Sequence, residues 1–146
     1  MNQASLDALI DLATEKRDAA ATELGRLQGQ HSRAQDQLDA LLTYRAEYGG
    51  RLAEAMAKGM SMNRLDNDQR FLAALDEAIE QQSRLVDDSQ NRLHHGQHDW
   101  RERQRRLKSF DALSARRAEA QAKRDTRREQ QQNDEAAGRS QRRASR

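Results

Sequence analysis

Apolar residues recur every seventh position along the first third of the chain. Leu6, Ala13, Ala20, Leu27, Ala34, Leu41 and Tyr48 form one unbroken series. The companion series reads Ile10, Arg17, Leu24, His31, Leu38, Arg45 and Leu52, apolar at every second step. Heptads sustained this long predict a coiled coil, and the polar insertions would lower stability while fixing register. A second series, Leu65, Leu72, Ile79, Val86, Leu93, Trp100 and Leu107, again has no gap. Its companions are weaker: Leu75 and Phe110 are apolar, whereas Gln82, Ser89, Gly96 and Arg103 are not.

The two series are out of phase, because Leu52 and Leu65 are separated by 13 residues, which is not a whole number of heptads. Between them lies Met56-Ala57-Lys58-Gly59-Met60-Ser61-Met62-Asn63. Gly59 can close a helix in the left-handed conformation, and Ser61 or Asn63 can cap the next one. These signals predict an all-α fold: two long helices in an antiparallel coiled-coil hairpin. Helix one spans about 4–56, the turn about 57–61 and helix two about 62–132. At ~1.5 Å per residue the helices would be roughly 80 and 105 Å long, so the second overhangs the first. Residues 1–132 form the hairpin, and 133–146, with Gly138 and few apolar side chains, are expected to be a flexible basic tail.

Composition agrees. There is no proline, whose presence in a helix interior costs ~3 kcal/mol. Alanine occurs 23 times and glutamine 16 times, against one valine and two isoleucines, which disfavours a sheet. With 35% hydrophobic and 34% charged residues the core must be thin, leaving no closed apolar pocket for an enzyme. The absence of cysteine excludes disulfides and thiolate zinc sites. No run of about 18 apolar residues exists to span a membrane. The opening residues lack the basic and apolar regions of a secretory signal, so a cytoplasmic location is expected.

Charge is divided unevenly. Residues 1–100 carry 11 Lys/Arg against 17 Asp/Glu, whereas residues 101–146 carry 15 against 7. A basic arm on an acidic body suggests an anionic partner for the arm. The basic stretch follows the seam and is interleaved with Glu119, Asp125 and Glu129, unlike the basic region of a zipper transcription factor, which precedes its zipper. Tyr44, Tyr48 and Phe71 fall at one level of the hairpin. Tyr48 is on the seam and reads as core. Tyr44 and Phe71 flank it and read as a docking patch. Gly49-Gly50 is either an early helix end or a soft bend. His94 and His98 share a helix face, but solvated side chains are a better reading than a metal pair. No catalytic motif is present, so the chain is not expected to be an enzyme, nor to hold a metal or cofactor.

The chain resembles the flagellar export protein FliJ family over nearly its whole length. The resemblance is carried by Leu6-Asp7-Ala8-Leu9-Ile10-Asp11-Leu12-Ala13, by Gln37 through Tyr48, by Phe71 through Leu75 with Ala78 to Gln81, and by Trp100 through Leu107. It implies a stalk-like coiled coil that binds the centre of the hexameric flagellar export ATPase and promotes its assembly. It also implies coupling to the cytoplasmic domain of the membrane export gate and to flagellar substrate chaperones, hence a place at the cytoplasmic face of the inner membrane. Nucleic acid is not among the implied partners. By the resemblance, the gate-docking residues are Gln37, Leu41, Tyr44, Tyr48, Phe71, Leu75 and Ala78; some relatives have His where this chain has Gln82. The ATPase-ring contact is expected to involve Leu6, Leu9, Arg116, Arg117, Lys123, Arg124, Arg127 and Arg128. The alternative reading is a self-associating scaffold or a basic zipper-like nucleic-acid binder, which would sediment as a dimer where the hairpin sediments as a monomer.

Overall fold

Two helices account for the structure, a computed structural model that describes residues 1–145. Helix α1 spans Gln3–Lys58 and α2 spans Met62–Ala144. Asn2 caps α1, its Oδ1 accepting the backbone N–H of Ser5 at 2.7 Å. Ser61 caps α2, its Oγ accepting the N–H of Arg64 at 3.3 Å. The connecting residues 59–61 carry the expected chemistry. Gly59 has φ of 90° and donates its N–H to the Met56 carbonyl. A Cβ there would meet nothing within 4 Å, so the demand for glycine is conformational and not steric.

The chain divides into two compact units. One, Asp18–Glu102, holds the turn and the parts of both helices nearest it. Its antiparallel pairing is visible in its cross-helix bonds. The Gln82 amide donates to the Ala34 carbonyl at 2.9 Å, the Tyr48 hydroxyl to Asp68 at 2.6 Å, and His31 Nδ1 lies 3.1 Å from Ser89 Oγ. Ala20, Leu27, Leu52, Leu75 and Val86 are buried. Ser89, at 7% exposure, is buried with them, its hydroxyl donating to the Val86 carbonyl at 2.7 Å. The companion positions of α2 are therefore as enclosed as the apolar series, despite their polar identities. A small hydroxyl that satisfies itself on its own helix is cheap to bury.

Gly96, another companion position, has a packing reason. A Cβ placed on it would lie 2.5 Å from Leu27 Cδ1. Leu27 fills the space that a side chain at 96 would occupy. Gly96→Leu is expected to destabilise by about 1–3 kcal/mol through overpacking. Combining it with Leu27→Ala should recover part of that loss, a positive coupling readable in a double-mutant cycle of urea melts. Purely additive losses would show that the two sites do not share the space.

The other unit joins Met1–Arg17 to the part of α2 from Arg103 onward. Leu6, Ala13 and Leu107 are its buried residues, and Leu6, at 0% exposure, is the most enclosed hydrophobic side chain described. Arg117 reaches across to donate to the carbonyl of Met1.

One expectation changes. The helix does not stop near 132: the stretch expected to be a flexible tail is helical through Ala144. Nothing in it breaks a helix, since proline is absent, and side chains add local bonds such as Arg142 Nε to the Gly138 carbonyl at 3.3 Å. One glycine costs only ~1 kcal/mol. Of the two readings left open for Gly49-Gly50, the early helix end is excluded, since α1 continues to Lys58, close to the expected bound.

Candidate functional site

Two surface regions stand out, one in each unit. The first is aromatic. Tyr44 and Tyr48 are one turn apart on α1, and the antiparallel register brings Phe71 of α2 against both. The Tyr48 and Phe71 ring centroids are 4.7 Å apart at a tilt of 49°. Tyr44 meets Phe71 edge-on, at 6.2 Å and 88°. Tyr44 also lies 6.2 Å from Tyr48, closing a three-ring cluster. Such geometries suit the ring quadrupoles and add to the area they bury. Tyr44 and Phe71 remain 42% and 40% exposed, whereas Tyr48 is half-buried.

Polar side chains hold the cluster in place. The Tyr48 hydroxyl donates to Asp68, and the Arg51 guanidinium lies 5.9 Å from the Tyr48 ring centroid. A groove of about 340 Å³ runs beside the rings, lined in part by Tyr44, Tyr48, Arg51, Arg64 and Asp68. Arg45 and Asp76 form a cross-helix ion pair at 2.9 Å in the same stretch. Asp76 is held below the usual carboxylate range by its hydrogen bond to Arg45, and Arg45 is raised by the same bond.

Asp68 acts on Tyr48 as Asp76 does on Arg45. The hydrogen bond to that carboxylate, with burial second, raises the phenol above its ordinary 10.0. A raised phenol keeps its proton more firmly in the folded chain. Its contribution to stability is complete below the unfolded value and is lost as pH rises through the folded one. In a Tyr44→Phe chain, absorbance at 295 nm should therefore show the remaining tyrosine ionising above pH 10.0. Asp68→Asn should bring that titration down. An unchanged curve would mean that the Asp68 bond is not formed in solution.

Of the expected docking residues, Gln37, Tyr44 and Phe71 are exposed, and Leu41, Tyr48 and Ala78 are half-buried. Leu75 is buried at 8% exposure and so presents almost no surface of its own. Gln82 links the patch to the helix interface, its amide donating to the Gln37 side-chain oxygen at 3.2 Å as well as to Ala34. Sequence reasoning missed Arg45, Asp68 and Asp76. Arg45 interrupts an apolar series, which was the available signal, but its partner lies 31 positions away.

The second region is basic and belongs to the unit containing the N-terminus. Arg116, Lys123, Arg124, Arg127 and Arg128 are exposed, and Arg117 is half-buried. Lys123 pairs with Glu119 at 3.6 Å. Leu9 is half-buried and reaches the surface. Leu6 was expected to contact a partner, but its position in the heptad places it wholly inside, where no partner can touch it.

Among the described residues there is no cluster of three metal-ligating side chains and no helix long and apolar enough to cross a membrane. The molecule is thus an all-α helical hairpin whose distinctive chemistry lies on its surface, in an aromatic cluster and an arginine-rich arm. The chain belongs to the FliJ family. The family model for the flagellar FliJ protein matches residues 2–146. The flagellar FliJ protein of Salmonella typhi is 33% identical over 135 residues, covering 92% of each chain. That of Escherichia coli K12 is 31% identical over the same span and coverage.

Proposed function

We propose that the chain acts in flagellar protein export as a stalk-like connector. Its aromatic cluster docks onto the cytoplasmic domain of the export gate, and its basic arm binds the hexameric export ATPase and promotes assembly of that ring. Substrate chaperones are further partners in the same reading, and the working position is the cytoplasmic face of the inner membrane. Membership of a family of flagellar proteins supports the pathway. The observation that carries the docking role is the aromatic cluster: two rings nearly half exposed, yet fixed by a third ring and an acidic hydrogen bond. Rigid, partly exposed aromatics bind partners at little entropic cost. The proposed gate surface is Gln37, Leu41, Tyr44, Tyr48, Phe71 and Ala78. The proposed ATPase surface is Leu9, Arg116, Arg117, Lys123, Arg124, Arg127 and Arg128.

The ATPase contact is tested by pull-down of the purified chain against the export ATPase. Changing Arg124, Arg127 and Arg128 to Glu together is expected to weaken capture at least about tenfold, because charges that steer and match a partner become repulsive. The three side chains are exposed, so helicity should be unchanged. Undiminished capture would refute the charge contact. Sedimentation as a dimer with steeply salt-dependent DNA binding would favour the zipper-like reading instead.

A further inference from the structure

A cleft of about 610 Å³ lies in the unit containing the N-terminus, lined in part by Gln3, Ser114, Arg116, Arg117, Gln121 and Arg124. Its lining carries no carboxylate. Arg117 is the best-placed group. One of its terminal nitrogens donates to the Met1 carbonyl, while the other, Nη1, is enclosed and has no hydrogen-bond partner. Enclosed charged donors are ordinarily satisfied, so an unmet one marks where an acceptor belongs. Arg124 spends its Nε on the Ala120 carbonyl at 3.5 Å. Two acids stand behind the lining, Asp7 accepting from the Gln3 amide at 2.9 Å and Asp125 from the Gln121 amide at 3.1 Å, and Glu119 pairs with Lys123. Three guanidiniums thus share one cleft and are not neutralised by its lining.

We propose that this cleft binds a multivalent oxyanion of the pyrophosphate type, held by Arg116, Arg117 and Arg124. Guanidinium forks match phosphoryl oxygens in pairs of parallel bonds, and Ser114 and Gln3 add neutral polar groups to the lining. Three forks around one cleft suit two linked phosphoryl groups better than a single carboxylate. No aromatic ring lines the cleft, so the phosphoryl groups and not a nucleobase are what it can recognise. Binding bridges the first turn of α1 to α2, and therefore stabilises the hairpin by mass action. The site concerns this chain alone and stands or falls apart from the export reading.

The test is calorimetric titration of the purified full chain with sodium pyrophosphate, beside thermal melts followed by circular dichroism, with sodium chloride at matched ionic strength as reference. The expected result is saturable binding of one pyrophosphate per chain and a midpoint raised by about 5 °C at a hundredfold excess over Kd. Arg117→Gln should lose at least tenfold in affinity. Arg124→Gln, at an exposed position and therefore safely folded, should also lose affinity, whereas Arg142→Gln, outside the cleft, should not. Non-saturable binding, an equal rise in sodium chloride, or losses of equal size in all three variants would reduce the effect to general screening of a basic arm and overturn the site. Binding of a polyglutamate peptide without any binding of pyrophosphate would overturn it in favour of protein carboxylates.

Discussion

Leu6→Ala is expected to lower the unfolding free energy by about 3 kcal/mol, the largest loss from any single truncation in the chain. Among the described residues, Leu6 is the one large side chain wholly removed from water. Truncation forfeits the transfer energy of the removed atoms and leaves a void that two helices close only in part. The core is thin, with Leu6, Ala13, Ala20, Leu27, Leu52, Leu75, Val86 and Leu107 as its buried hydrophobic residues. Three of these belong to the unit formed by Met1–Arg17 and the later part of α2, and one of the three is an alanine. Against a total stability of about 5–15 kcal/mol, the loss is a large fraction. Urea melts should show the midpoint falling with little change in slope. Leu12→Ala, at 46% exposure, is the control and should cost less than about 0.5 kcal/mol. Equal losses at the two sites would mean that the N-terminal turns of α1 do not dock in solution.

Tyr44→Ala combined with Phe71→Ala should weaken the proposed binding to the cytoplasmic domain of the export gate by about 1,000-fold, taking about 2 kcal/mol for each aromatic anchor. Motility in soft agar should fall with it. Both rings are exposed, and the buried residues Leu52 and Leu75 are untouched, so helical content should persist. Tyr48→Phe separates the contributions within the cluster. It keeps the ring against Phe71 but removes the bond to Asp68. Affinity should then fall less than in the double variant, by the loss of positioning alone. Collapse of helicity in the double variant would make the rings part of the core, and unchanged affinity would remove the patch from the gate interface.

Much of the architecture was legible because a heptad is a local property. The spacing of Leu6, Ala13, Ala20 and Leu27 placed all four inside before any partner was known, and all four are buried. The phase break and Gly59 located the turn, since only a residue at ease with positive φ ends a helix in this way. Less was legible about the polar companions. Ser89 and Gly96 looked like weak points of a zipper, yet one is buried with its hydroxyl satisfied and the other makes room for Leu27. Residues 133–144 looked too polar to be ordered, yet they are helical, because a helix can run on through helix-compatible residues without burying an apolar face.

By itself, then, the sequence determined the two helices, their buried faces and the place where the chain turns, all of which follow from steric preference and hydrophobic period within a few residues. Tertiary structure alone decided which side chains meet: Tyr48 with Asp68, Arg45 with Asp76, Phe71 between two tyrosines, and Arg117 with the start of the chain. Those pairs depend on the register of one helix against the other. A shift of a single residue turns each side chain by about 100° around its helix, so sites assembled from both helices exist only once that register is set.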